Sequence, residues 1–261
     1  MPGSETLARV AIVTGASRGL GRAVAHDLAS LGFRVLTAST GATAPGVGER
    51  AHVPTDVTDP ASVDRLVTTA LRETGRVDVV VNNAGFANPA AALADTPDEV
   101  VRRNFAVNAL GPFYLLRRVL PAMIASPAGG TIVNIASRAG VTPIPQLAAY
   151  SASKSALVSL TLALAKERPD GKLFAVSVCP GGMNTEMRAT VYGASDARAQ
   201  LDPQQVADVV VELADRRTVA GRAVPSGAAI LISRESGTRV LEWALDERGL
   251  AGFGPERRAN R

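Results

Sequence analysis

The sequence is poor in the residues that build disulfide frameworks and metal centres. It has one cysteine, Cys179, and two histidines, His26 and His52, that lie far apart in its 261 residues. One cysteine forms no internal disulfide, so nothing favours an oxidising compartment, and two distant histidines predict no metal site. The apolar runs are shorter than the roughly 18 residues that suggest a membrane span, and no charged-then-apolar leader opens the chain. We therefore expect a cytoplasmic protein without a metal or a membrane partner.

Charge of one sign is not concentrated anywhere along the chain. The formal net charge is +4, and the arginines are scattered among acidic residues. A nucleic-acid-binding protein more often carries a clustered basic stripe, so we expect no nucleic-acid partner and attribute the mild positive excess to an anionic cofactor. Hydrophobic residues make up 46% of the chain and charged residues 20%, which is typical of a folded domain with a sizeable core.

Short apolar runs alternate with helical patterns. The apolar runs predict seven strands, at residues 10–13, 33–37, 51–53, 77–81, 131–136, 173–178 and 228–232. Helical spacing covers residues 19–31, 62–72, 100–123 (with a junction at Pro112), 150–167 and 203–214. Valine-rich strands that alternate with helices are typical of a parallel sheet covered on both faces. We predict an α/β fold, a single Rossmann-type doubly wound domain over residues 1–261 with a mostly parallel seven-stranded sheet. Residues 39–50 are predicted as a loop and residues 234–261 as a charged tail.

A glycine-rich loop joins the first predicted strand to the first predicted helix. Residues 14–21 have the sequence TGASRGLG, in which Gly15 permits a tight turn, Gly19 lets the backbone approach a pyrophosphate and Gly21 lets helix and sheet pack closely. The helix N-terminus adds free N–H groups and a positive dipole end for phosphates. This pattern favours a dinucleotide site, and the alternative is an ordinary strand–turn–helix junction.

The end of the second predicted strand indicates which nucleotide binds. An acidic residue there bonds the ribose 2′-hydroxyl and selects NAD, whereas this chain has Ser39 followed by Thr40. Neither side chain repels a 2′-phosphate, and Arg18 in the glycine loop can pair with one. We therefore predict NADP as the cofactor. NAD is the alternative if Arg18 is only a solvated surface residue.

Four polar residues have the side chains that proton transfer at a ligand site requires. Tyr150 and Lys154 are four residues apart, on one face of a helix, and a neighbouring ammonium lowers a tyrosine pKa towards neutrality. Ser137 ends a predicted parallel strand, where such folds bind ligands. Asn108 lies within a predicted helix, although asparagine is a weak helix former. A chance surface pair is the alternative for Tyr150 and Lys154, and a buried amide bonded to backbone is the alternative for Asn108.

These motifs together resemble the single-domain short-chain dehydrogenases/reductases. The glycine loop is similar to that family's cofactor loop, residues 82–85 (NNAG) are similar to its signature after the fourth strand, and the four polar residues match its catalytic tetrad in order and spacing. The resemblance spans about residues 10–232. It implies a nicotinamide cofactor held by Gly15, Ser17, Arg18, Gly19, Leu20, Gly21, Ser39, Asp56, Val57, Asn83, Ala84, Gly85, Tyr150, Lys154, Pro180, Gly181, Met183 and Thr185.

The resemblance also implies a mechanism. Tyr150 would exchange a proton with the substrate oxygen, Lys154 would lower its pKa and bond the nicotinamide ribose, Ser137 would orient the oxygen, and Asn108 would hold a water that leads to Lys154. The implied activity is that of an NADPH-dependent ketoreductase or alcohol dehydrogenase acting on a small carbonyl compound or secondary alcohol. The alternative is a non-catalytic NADP(H)-binding regulator or scaffold.

The chain departs from the family pattern at several points. Thr40 stands where many NADP-preferring relatives have a basic residue, and the segment before the third strand lacks its helix. Residues 184–202, the substrate lid in relatives, are short and have little aromatic content, which indicates an open site. The helices near Val100 and Tyr150 resemble those that pair between subunits, so the family resemblance implies a homodimer or homotetramer.

Overall fold

A computed structural model describes residues 8–42, 52–168, 170–245, 251–253 and 257–258 of the chain. Within these residues the strands are β1 Val10–Thr14, β2 Arg34–Ser39, β3 His52–Pro54, β4 Val79–Asn82, β5 Gly130–Ile135, β6 Leu173–Pro180, β7 Thr218–Val219, β8 Arg222–Ala223, β9 Ala229–Ser233, β10 Gly237–Leu241, β11 Trp243–Leu245, β12 Ala251–Phe253 and β13 Arg257–Arg258. The α-helices are α1 Gly19–Ser30, α2 Pro60–Thr74, α3 Asp98–Phe105, α4 Gly111–Ala125, α5 Ala148–Glu167, α6 Glu186–Tyr192, α7 Ala194–Arg198 and α8 Pro203–Arg216.

The main sheet has nine strands in the order β13-β10-β9-β6-β5-β4-β1-β2-β3. The seven strands from β9 to β3 pair in parallel, and they are the seven that the sequence predicts. The prediction of an α/β doubly wound fold with a mostly parallel sheet is therefore confirmed. β10 and β13 add two antiparallel strands at one edge. β10 returns directly after a turn in which Ser236 N donates to Ser233 Oγ, in the charged segment where the sequence predicted no strand.

Helices cover both faces of the sheet because successive strand residues point to opposite sides. On one face, Val13 and Val81 pack into a core with α1 and α8. On the other face, Ile12 and Val80 pack into a core with α2, α4 and the C-terminal part of α5. The central strands β1, β4, β5 and β6 are buried on both sides, which explains why their sequences are mostly apolar rather than alternating.

The long helix predicted for residues 100–123 contains an irregular turn. α3 and α4 are joined by a π-helical turn, Ala106–Leu110, that has Asn108 at its centre. Pro112 lies in the first turn of α4, and its missing N–H relaxes the regular hydrogen-bond pattern there. The predicted junction at Pro112 is thus present, but the irregular turn lies just before it.

Several predictions fall wholly or partly outside the described residues. Of the predicted loop at residues 39–50, only residues 39–42 are described, so Arg50 is not placed. The predicted third strand is observed at β3, without Ala51. Residues 246–250, 254–256 and 259–261 of the charged tail also lie outside, and a single domain over residues 1–261 stays a prediction.

The order of the strands determines where a ligand can enter. The chain runs from β1 outwards to β2 and β3, and then returns to β4 on the other side of β1. The connections that follow β1 and β4 therefore leave in opposite directions and open a crevice at the carboxyl ends of these strands. The glycine loop follows β1, and the NNAG segment overlaps and follows the end of β4, so both lie at this crevice.

Candidate active site

A cleft of 1560 Å³ lies at the carboxyl ends of the central strands. Most of the residues that the sequence assigns to the cofactor line it: Gly15, Ser17, Arg18, Gly19, Leu20, Ser39, Asp56, Val57, Asn83, Ala84, Gly85, Tyr150, Lys154, Met183 and Thr185. Gly21, Pro180 and Gly181 are not among its lining residues. The cleft is therefore formed by segments that are distant in sequence and follow different strands, as the predicted dinucleotide site requires.

The glycine loop and the NNAG segment are packed too closely for side chains at two of the glycines. A β-carbon at Gly15 would lie 2.8 Å from the Ala84 Cα, and one at Gly21 would lie 2.4 Å from the Gly15 carbonyl oxygen. Gly15 also has a φ of +65°, which favours glycine. The Asn83 Nδ2 donates to the carbonyl oxygens of Thr14 (2.9 Å) and Gly15 (3.1 Å). These contacts fix the two loops against each other and shape one wall of the cleft.

The groups at the nucleotide end of the cleft fit the phosphates and the ribose of a dinucleotide. α1 begins at Gly19, and no side chain caps its N-terminus, so its first N–H groups are available to a phosphate. The Ser39 Oγ at the end of β2 is buried and has no hydrogen-bond partner among the described residues. A buried hydroxyl without a partner is costly, and a ribose hydroxyl or a 2′-phosphate oxygen would satisfy it. The residues present therefore fit a nicotinamide dinucleotide.

Lys154 is buried beside the NNAG segment. Its side chain is 3% exposed, and its Nζ donates to the Ile135 carbonyl oxygen at 2.8 Å. Burial lowers the pKa of this ammonium to about 8, because a low-dielectric surrounding disfavours the charged form. A β-carbon at Gly85 would lie 3.6 Å from both the Lys154 Nζ and the Asn108 Oδ1. Lys154 and Asn108 thus both lie next to Gly85, and of these three residues Gly85 and Lys154 line the cleft.

Tyr150 and Ser137 meet at the end of β5. Burial has the largest effect on the Tyr150 pKa and raises it above its usual value. The nearby Ser137 hydroxyl and the positive charge of Arg188 offset part of this rise. The sequence predicted a lowered pKa from the spacing to Lys154, but the Lys154 ammonium is directed at Ile135 instead. The hydroxyl is therefore protonated at neutral pH and can donate a proton.

The Asn108 amide is fully engaged by its neighbours. Its Oδ1 accepts from the Phe86 N–H at 2.8 Å, and its Nδ2 donates to the Phe86 carbonyl oxygen at 2.8 Å and to the Ser153 Oγ at 3.0 Å. Ser153 in turn donates to the Tyr150 carbonyl oxygen at 2.8 Å. The alternative left open by the sequence, a buried amide bonded to backbone, therefore describes this side chain. Through these bonds Asn108 links the segment after NNAG to the helix that carries Tyr150.

Some residues of this network were not predicted from the sequence. The Asn104 Nδ2 donates to the Asn88 Oδ1 at 3.0 Å, and both residues are buried. Ser153 connects Asn108 to the backbone of Tyr150. Two signals were available, since Asn104 lies four residues before Asn108 and Ser153 directly precedes Lys154. No local signal exists for Asn88, because only the fold brings it to α3.

Cys179 is packed next to the site without taking part in it. It is completely buried in a small apolar cluster with Ala136 and Leu157. Burial raises the pKa of its thiol to about 12, so the thiol stays protonated and unreactive at neutral pH. Cys179 is therefore a small packed residue of the core. Among the described residues, no group of three or more His, Cys, Asp and Glu side chains could hold a metal ion.

The comparisons with known proteins agree with this site. Residues 9–195 match the model of the short chain dehydrogenase family. The 2-(R)-hydroxypropyl-CoM dehydrogenase of Xanthobacter autotrophicus is 33% identical over 92% of this chain and 96% of its own length. The galactitol 2-dehydrogenase of Agrobacterium fabrum is 35% identical over 68% of this chain and 72% of its own. A crystal structure of a 3-ketoacyl-(acyl-carrier-protein) reductase from Brucella melitensis, complexed with NADH, superposes with a TM-score of 0.78 at 28% identity over 87% of this chain and 98% of that one.

The chain belongs to the short-chain dehydrogenase/reductase family. It is an oxidoreductase that uses a nicotinamide cofactor, as the sequence predicted. In the part of the chain that the structure describes, no helix has both the length and the apolar character needed to cross a membrane.

Proposed function

We propose that the protein is an NADP(H)-dependent ketoreductase or alcohol dehydrogenase that interconverts a small carbonyl compound and a secondary alcohol. The observation that carries the proposal is that Tyr150 and Lys154, four residues apart on α5, both line the nucleotide cleft. Two relatives are named for a 2-hydroxypropyl compound and for position 2 of galactitol, which are secondary alcohols. The proposal includes the homo-oligomer and the cytoplasmic location expected from the sequence.

Each polar residue has a role that its surroundings support. Tyr150 donates a proton to the carbonyl oxygen during reduction and accepts one from the alcohol during oxidation, and Ser137 orients that oxygen. Lys154 supplies a positive charge to the cleft, where it would bond the ribose of the cofactor. Asn108 positions the segment after NNAG and, through Ser153, the helix of Tyr150. The nicotinamide supplies or accepts the hydride.

The test of this function is turnover with both cofactors. The purified protein is incubated with NADPH or NADH and a panel of aliphatic, aromatic and hydroxylated ketones, and loss of absorbance at the reduced nicotinamide band is followed. Steady, ketone-dependent consumption of NADPH supports the proposal. Tight NADPH binding with no turnover on any member of the panel, or on the matching alcohols with NADP⁺, would favour the regulatory alternative instead.

The choice of NADP(H) rests on the groups at the end of β2. The Ser39 Oγ is buried without a partner, no carboxylate stands at this position, and Arg18 lines the same cleft. We predict that Arg18→Ala raises the KM for NADPH about ten- to a hundredfold, because a charge-assisted pair to a phosphate contributes roughly 1.5–3 kcal/mol. The KM for NADH should change little. Steady-state kinetics with both cofactors measure the effect.

Ser39→Asp tests the same cofactor preference by placing a carboxylate at the end of β2. Its carboxylate repels a 2′-phosphate and offers an acceptor to the ribose hydroxyls of NADH, so the variant should prefer NADH. Ser30→Asp, an exposed serine at the end of α1, is the matched control and should leave the preference unchanged. A wild-type kcat/KM that is equal for both cofactors, or higher for NADH, contradicts the NADP(H) assignment.

An exposed apolar face supports the oligomer. The side chains of Leu110 and Phe113, at the junction of the π-helical turn and α4, are 44% and 45% exposed, and Phe105 lies nearby in sequence at 36%. We predict a dimer or tetramer by light scattering at micromolar concentration, and Phe113→Asp should shift it towards the monomer because a carboxylate is costly to bury. A wild type that is monomeric under these conditions would refute the assembly.

A further inference from the structure

The first helix of the lid packs against the glycine loop. A β-carbon at Gly19 would have the Thr185 Cγ2, 3.7 Å away, as its nearest neighbour. Thr185 caps α6 by accepting a hydrogen bond from the Arg188 N–H at 3.3 Å. The next residue, Glu186, extends towards the glycine loop, where its Oε2 lies 2.7 Å from the Arg18 Nη1. The N-terminus of α6 therefore touches the nucleotide site at two points.

The Arg18–Glu186 ion pair engages Arg18, the cation that is assigned to the 2′-phosphate. Arg18 and Glu186 both line the nucleotide cleft, and their side chains are 71% and 73% exposed. An exposed pair of this kind is weak, so a doubly charged phosphate can displace the carboxylate. Displacement still has a cost, since the Arg18–Glu186 contact is lost and the carboxylate remains near the incoming anion. An unphosphorylated ribose, as in NAD(H), incurs neither cost.

We propose that Glu186 is a specificity-determining residue for the cofactor: it occupies Arg18 in the free enzyme and thereby weakens the preference for NADP(H) over NAD(H). This inference rests on the assignment of Arg18 to the 2′-phosphate under Proposed function. It also couples cofactor choice to the lid, because the 2′-phosphate must take Arg18 away from the first residue of α6, whereas NAD(H) leaves that contact in place.

The other acidic side chains of the cleft are engaged elsewhere. Asp56 accepts from the N–H and the hydroxyl of Thr58, and Asp202 caps α8. Glu99 lies 3.8 Å from Arg102. Among the described residues, Glu186 is thus the carboxylate that pairs with Arg18, and Glu99→Gln is a matched control that removes the same charge from the same cleft.

The experiment measures binding of two nucleotide fragments that lack the nicotinamide. Adenosine 2′,5′-bisphosphate carries the 2′-phosphate, whereas 5′-AMP does not, and calorimetric titration gives a Kd for each. We expect Glu186→Gln to tighten binding of the bisphosphate about two- to fivefold, the range that an exposed ion pair can supply. Its effect on 5′-AMP should be smaller than about twofold, and the kcat/KM ratio of NADPH to NADH should rise by the same factor as bisphosphate affinity.

Variants of Arg18 separate this inference from the proposed function. In the Arg18→Ala background, Glu186→Gln should tighten bisphosphate binding less than in the wild type, because the pair is already broken and only the repulsion between the carboxylate and the phosphate is left to remove. The inference is overturned if Glu186→Gln leaves bisphosphate affinity unchanged, tightens both fragments equally, or acts no more strongly than Glu99→Gln. If Arg18→Ala alone leaves bisphosphate affinity unchanged, the NADP(H) assignment is wrong as well. The Arg18→Ala variant therefore tests the proposed function independently of the result with Glu186→Gln.

Discussion

Tyr150→Phe is expected to lower kcat by at least about 10²-fold, the lower end of the range for general acid–base catalysis. Burial keeps the pKa of the Tyr150 hydroxyl above its usual value, so at neutral pH the group holds its proton and can donate it to a carbonyl oxygen. Phenylalanine keeps the ring and its packing but has no proton to give. Steady-state kinetics of carbonyl reduction at neutral pH measure the loss, and calorimetric titration should give a cofactor Kd close to that of the wild type.

Tyr114→Phe is the matched control, because it removes a tyrosine hydroxyl from α4, where Tyr114 packs on the core beneath the other face of the sheet. It should retain kcat within about twofold. If Tyr150→Phe keeps most of the wild-type kcat, the proton-donor role is wrong. If kcat falls together with cofactor affinity and the free energy of unfolding, the hydroxyl acts on the structure rather than on the proton.

Lys154→Met is expected to lower kcat by a similar factor, about 10²-fold or more, and to change the pH dependence of stability in a characteristic way. Methionine fills much of the same space but carries no charge, so the floor of the cleft loses its cation and the Ile135 carbonyl oxygen loses its donor. Cofactor affinity should fall as well, because Lys154 lines the nucleotide cleft. The kinetic effect alone would not distinguish a charge from a packing role, and stability measurements do.

The sign of the stability change follows from the direction of the pKa shift. Burial lowers the Lys154 pKa from 10.5 to about 8, so between these pH values the unfolded chain binds a proton that the folded chain has released. Stability therefore rises with pH through this window. The wild type should gain about 3 kcal/mol more than Lys154→Met between pH 8 and 10.5, at about 1.4 kcal/mol per pKa unit.

Urea unfolding of both proteins at several pH values measures this difference, and the shared titrations of other groups cancel in the comparison. Lys166→Met, at the last turn of α5, is the control and should follow the wild type. Parallel stability profiles for the wild type and Lys154→Met would mean that the Lys154 pKa is not lowered in the folded protein, and the electrostatic description of the site would then be wrong.

The sheet and the glycine loop could be predicted because their signals are local. The central parallel strands are short apolar runs buried on both faces, so their sequences indicate their structure without knowledge of their neighbours. The antiparallel strand β10 could not be predicted in this way. Its residues, GTRVL, are only partly buried, and it forms because the turn after β9 returns the chain alongside that strand, which the charged sequence did not indicate.

The candidate site likewise combines features that the sequence predicts with features that only the tertiary structure decides. The sequence placed Tyr150 and Lys154 on one helix face because four-residue spacing is a property of a single helix. It predicted the wrong direction for the Tyr150 pKa, since burial raises this pKa by more than the nearby Ser137 hydroxyl and the charge of Arg188 lower it. The acceptor that takes the Lys154 ammonium, the Ile135 carbonyl oxygen, lies on β5 and is brought close only by packing.

Residue types and short spacings in the sequence therefore determined the seven parallel strands, the glycine loop and the family, and they are the basis of the proposed proton-transfer residues. Tertiary structure alone decided that the Asn108 amide hydrogen-bonds Phe86 and Ser153, and that Arg18 forms an ion pair with Glu186. The physical reason is that periodicity and backbone freedom act within one element, whereas desolvation, charge pairing and hydrogen-bond saturation depend on distances between elements that are remote along the chain.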